Sequence, residues 1–159
     1  MDFIPFYSRY KELAIKETRI ITTTTTQFGL PPGEYGLIEN YCTDKTCDCR
    51  KVMINVIEVK SPQQFLATIG FGWESAEFYT RWIGGDEKLG NIMAGAYLEP
   101  GGIQTKYAPL LFDMVTSAAF TDEYVERLKR HYALFKSYRT SPSPSRSSKS
   151  KKRRKAGKR

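Results

Sequence analysis

Three runs in the middle of the chain constrain its architecture most: EYGLIENYC at residues 34 to 42, RKVMINVIEVK at 50 to 60 and FLATIGFGW at 65 to 73. Each is short and rich in β-branched or aromatic side chains, a composition suited to a pleated, partly buried surface. In the second run Val52, Ile54 and Val56 take one face, and Met53, Ile57 and Val59 take the other. The gaps between runs are too short for the crossover that parallel strands need. An antiparallel meander is therefore expected.

The flanking segments read differently. Phe3, Phe6, Tyr7, Tyr10, Leu13 and Ala14 recur at three- and four-residue intervals, which predicts a helix over residues 3 to 16. RIITTTTTQFG suits a strand, or a strand running into a loop, and its five threonines equally suit a low-complexity insertion in a hairpin turn. PPG at 31 to 33 marks a turn. Beyond residue 73, Ser75 can cap a helix that stops at Gly84-Gly85, and Asp86 can open a second short one, with LEPGG at 98 to 102 as a loop. KYAPLLFDMVTSAAF predicts a buried helix with Pro109 in its first turn. Thr121, followed by Asp122 and Glu123, opens a last helix carrying Tyr124, Leu128, His131, Tyr132 and Phe135.

At 159 residues the chain has room for one core. The expectation is a single α+β domain over residues 1 to 138. It comprises an N-terminal helix, an antiparallel sheet of three or four strands, and C-terminal helices.

The net charge of +8 divides unevenly. Ten of the 25 basic residues lie from Arg139 onward with no acid among them, so the first 138 residues set fifteen basic side chains against all 17 acidic ones, a balance of −2. Residues 139 to 159 therefore carry the basicity. After Tyr138, TSPSPSRSSKSKKRRKAGKR offers almost no apolar surface to offset its ordering entropy, which predicts a disordered tail. Lys149, Lys151, Lys152, Arg153, Arg154, Lys155, Lys158 and Arg159 are its candidate contacts to phosphate backbones or acidic proteins. A solubilising linker is the alternative, and an anionic membrane surface a further partner class.

No apolar run approaches the roughly 18 residues that a membrane-spanning helix requires. The start, MDFIPFYSRYKEL, lacks the basic, then apolar pattern of a secretory signal. A cytoplasmic protein with reduced thiols is expected.

Those thiols are concentrated in NYCTDKTCDCRKV, which holds Cys42, Cys47 and Cys49, all the cysteines of the chain. If the two flanking strands form a hairpin with Cys42 opposite Cys49, the three side chains share the face opposite Tyr35, Leu37, Ile54 and Val56. A one-residue slip would invert that face. Three thiolates in a tight turn make a partial zinc site, for which Asp44, Asp48 and His131 are the candidate fourth ligands. The alternatives are small buried hydrophobes, a redox pair across the hairpin, or a nucleophilic thiol. For the last, Lys45, Arg50 and Lys51 are nearby cations, and His131 is the one histidine available as a base. A thiol-based redox or transferase activity at Cys47 or Cys49 is thus the second functional class, after a non-enzymatic zinc protein. No phosphate loop, nucleophile elbow or paired-carboxylate motif is present, and no small-molecule substrate is indicated. Phe71, Trp73, Phe78, Tyr79 and Trp82 are expected to fasten the third strand to the following helix.

GEYGLIENYCTDKTCDCRKVMINV, the segments ATIGFGWES and KYAPLLFDM, and DEYVERLKRHYALFK together resemble an uncharacterised family of bacterial proteins. That family shares a YC-D-x-x-CDCR-V signature, and the likeness spans residues 1 to 138. Some members continue through a basic linker into a SEC-C-type zinc ending, and no such motif occurs within residues 139 to 159. The resemblance implies no activity and no catalytic residue.

Overall fold

The computed structural model describes residues 2–139. Alternating side chains make the central sheet. Strands β3 (Gly33–Cys42), β4 (Lys51–Glu58) and β5 (Phe65–Gly72) form the expected antiparallel meander. The sheet has six strands rather than three or four. Strand β6 (Gly95–Leu98) extends it beyond β5, and two short strands share the opposite edge of β3. Of these, β1 (Phe3–Pro5) pairs with residues 40–42, while β2 (Arg19–Thr23) pairs with residues 33–37.

The chain between those two edge strands lifts away from the sheet. It makes a 3-10 turn at Phe6–Ser8 and then the helix α1 (Lys11–Glu17). The predicted 3–16 helix is thus corrected at its start. Pro5 has no N–H to donate, a loss tolerated on an edge strand and not in a helix interior. The RIITT segment resolves as a strand that ends before the threonine run does.

The remaining helices follow their caps. Ser75 accepts from Phe78 N to open α2 (Ala76–Trp82), and Asp86 accepts from Leu89 N to open α3 (Glu87–Met93). Pro109 lies in the first turn of α4 (Ala108–Ala118). The Thr121 hydroxyl accepts from Tyr124 N at the start of α5 (Asp122–Ser137).

One face of the sheet is buried against α4 and α5. Tyr35, Leu37, Tyr41, Val52, Ile54, Val56 and Ile69 meet Leu111, Met114, Val115, Leu128 and Phe135 there. A smaller cluster of Tyr79, Met93 and Tyr97 covers the other face at the Gly70 and Gly72 end of β5. The five aromatics expected to act together divide between these cores. Phe71 stacks on Phe120 and Trp73 packs edge-on to Tyr132, while Tyr79 is fully buried in the smaller cluster with Phe78 and Trp82 beside it. Among the described residues no helix is long and apolar enough to cross a membrane.

Candidate metal centre

The β3–β4 register decides where the cysteines go. Leu37 lies opposite Val56 and Asn40 opposite Met53, so continuing the ladder sets Cys42 level with Lys51. The expected partner was Cys49, two residues earlier. An offset of two preserves every face, so the expected separation survives: Tyr35, Leu37, Ile54 and Val56 join the main core and Cys42 points away from it. The Cys-bearing turn spans residues 43–50 between the strands.

That turn is built locally. Asp44 Oδ1 accepts from Thr46 N at 2.8 Å and from the Thr46 hydroxyl at 2.7 Å, and Cys47 N donates to Asp44 O at 3.3 Å. These bonds form an Asx turn, with the Thr46 side chain first among the causes that hold the Asp44 carboxyl below its usual range. At the far end Arg50 adopts φ 42°, a conformation uncommon outside glycine. Its N–H donates to the Tyr132 hydroxyl at 3.4 Å, and its carbonyl accepts from the Tyr79 hydroxyl at 2.6 Å. Its guanidinium grips Asp48 through two nitrogens, reaches Glu74 at 3.2 Å and lies over the Phe78 ring. From α5, Lys136 Nζ donates to the carbonyls of Asp44 and Cys47. The turn is therefore held to α2 and α5 rather than left in solvent.

The outcome is convergence. The sulfurs of Cys42, Cys47 and Cys49 all lie within 4.8 Å of one another. Cys42 and Cys49 are fully buried and Cys47 is partly exposed. The Cys47 thiol contacts both of the others. Burial raises the Cys47 pKa, and burial together with the two neighbouring thiols pushes Cys49 up to about 12. The hydroxyls of Tyr79, Tyr97 and Tyr132 are likewise raised by burial, with Cys49 among the secondary causes for each. Three soft donors this close can hold a metal ion.

The candidate fourth ligands stand apart from this group. Asp44 caps its own turn, and Asp48 is paired with Arg50. His131 is on the main-core side of α5 and 1% exposed, with Nδ1 2.6 Å from Glu39 Oε2 and Nε2 2.6 Å from Glu17 Oε2. Phe6 stacks on the ring at 4.2 Å, and Tyr41 donates to the same Glu39 oxygen. Both imidazole nitrogens are therefore engaged. The basic tail positions, Lys149 through Arg159, lie outside the described residues.

Sequence reasoning missed Tyr79, Tyr132 and Lys136 as neighbours of the thiols. The i, i+4 spacing of Tyr132 and Lys136 put them on one helix face, but nothing local said which loop that face would meet. A second missed signal was stronger. Glu39 shares strand parity with Tyr35, Leu37 and Tyr41, and a carboxylate at a core position demands a buried partner.

Compared with known proteins, the chain matches no family model, no curated protein and no solved structure.

Proposed function

We propose that this is a non-enzymatic cytoplasmic protein whose Cys42, Cys47 and Cys49 hold a zinc ion. The observation that carries the reading is the convergence of the three sulfurs within 4.8 Å on a turn anchored to two helices. With Zn–S bonds of about 2.3 Å, tetrahedral sulfurs sit about 3.8 Å apart, so closure by no more than about 1 Å completes the contacts. Zinc suits thiolate donors and needs no redox partner. Loading displaces the thiol protons, so affinity rises with pH.

The second reading, a thiol redox or transferase activity, draws support from the partial exposure of Cys47 beside two further thiols. Against it, burial holds Cys49 protonated, and the one histidine is committed elsewhere. Metal analysis of untagged protein, with thiol titration before and after chelation, separates the two. Stoichiometric zinc shielding all three thiols is expected. Metal-free protein with one fast-reacting thiol would overturn the zinc reading.

We further propose that residues 139 to 159 contact nucleic acid or acidic partners, and that the chain belongs with the bacterial proteins sharing the YC-D-x-x-CDCR-V signature. The tail reading rests on its ten basic side chains.

A further inference from the structure

Resting on the zinc reading, one question concerns how a tetrahedral ion completes its shell. The chain has three cysteines and one histidine. Both nitrogens of His131 face carboxylates, the buried Glu39 and the partly exposed Glu17. Residues 140–159 contain no Cys, His, Asp or Glu. The two carboxylates of the turn are engaged, Asp44 with Thr46 and Asp48 with Arg50, and Glu74 also pairs with Arg50. Among the described residues the convergent group contains neither carboxylate nor imidazole. Zinc sites closed for structural purposes take four protein ligands, whereas three leave a position for an exchangeable one.

Access to that position is one-sided. Cys42 and Cys49 are sealed from solvent, while Cys47 is partly exposed. On the Cys47 side stands Lys136, whose ammonium is bonded to the turn carbonyls and attracts negative charge.

We propose that the cluster is an open three-thiolate site whose fourth position takes an exchangeable thiolate from outside the chain. A thiolate fits on two counts. It matches the softness of the other three donors, and its negative charge is favoured by Lys136 at the entrance. In the exchange, the incoming thiol loses its proton to solvent, its sulfur bonds to the metal, and the water or weaker donor leaves. No electron is transferred. A free small thiol and a protein cysteine share this chemistry.

The test uses the full chain, purified with a phosphine reductant in place of thiols and loaded with Co²⁺ as a visible substitute for zinc. 2-Mercaptoethanol is titrated in one arm and a cysteine-containing tetrapeptide in another, to distinguish the two sources. In at least one arm the sulfur-to-cobalt charge-transfer absorbance should rise by about a third as three thiolates become four. The ligand-field bands should shift with it. A spectrum indifferent to both thiols, or one already showing four sulfurs, would overturn the open-site inference. Absence of any charge-transfer band on adding Co²⁺ would instead overturn the metal reading beneath it.

Discussion

Arg50 holds a left-handed backbone conformation because four neighbours require it: Tyr79 and Tyr132 bind its main chain, and Asp48 and Glu74 bind its side chain. Such positions persist only where the surroundings over-determine them. Here the effect is to turn Cys49 back toward Cys42 and Cys47. Replacing any one cysteine by serine removes a soft donor, so metal analysis of Cys49→Ser should show loss of stoichiometric zinc with the circular dichroism spectrum retained. His131 makes a different prediction. His131→Phe would leave a buried Glu39 oxygen without its imidazole partner, and an unsatisfied buried acceptor typically costs about 1–3 kcal/mol. Urea denaturation should show that loss, and a change below about 1 kcal/mol would mean that Glu39 finds another partner. At this scale the cysteines were legible from spacing, and Glu39 was legible in principle from its parity. The Glu17–His131–Glu39 chain was not, because its members lie 92 and 114 residues apart.

Helix α5 links the two polar features. It presents His131 to the sheet core, and Tyr132 and Lys136 to the cysteine turn. Lys136→Met should therefore weaken zinc about 10-fold by competition with a chelator, as loss of outer-shell partners of metal ligands typically does, while leaving the fold intact. Equal affinities would show that the turn keeps its shape unaided. On the other side of the turn, Gly72 lies against the Met93 carbonyl and the Tyr79 ring with no room for a β-carbon. Gly72→Ala should destabilise by at least about 1–3 kcal/mol, because backbone has to move. Caps and alternation made most elements readable, including α2, α3, α4 and α5. The exceptions were the short strands β1 and β6. Three or four residues carry too little pattern to announce a strand, and only the open edges of β3 and β5 turn them into one.

For the whole molecule, buried weak acids dominate the response to pH. Cys49 is shifted from 9.0 to about 12, and burial raises Tyr41, Tyr79, Tyr97, Tyr124 and Tyr132 above their ordinary value. Above about pH 9 the unfolded chain loses protons that the native state keeps, so the unfolded state binds fewer and stability falls as pH rises. These groups' contribution is complete below the unfolded values and is lost toward pH 12 and beyond. Denaturation midpoints of the metal-free protein should decline steadily from about pH 9, and a flat profile to pH 11 would contradict the burial described. Deletion after Tyr138 should leave stability unchanged and abolish salt-sensitive retention on nucleic acid. Retention that survives the deletion would place the basic surface elsewhere.

The sequence by itself determined the antiparallel meander and the cap-defined helices, since each follows from local periodicity, local caps or the shortness of the connections, whereas the face to which Cys42 points waited on the β3–β4 register. The sequence also placed three thiols within eight positions. Tertiary structure decided the rest. Which helix grips the turn, which cation stands beside Cys47 and why His131 does not join the cluster all depend on contacts between segments far apart in the chain. Local pattern carries no information about those contacts until the sheet and α5 are packed together.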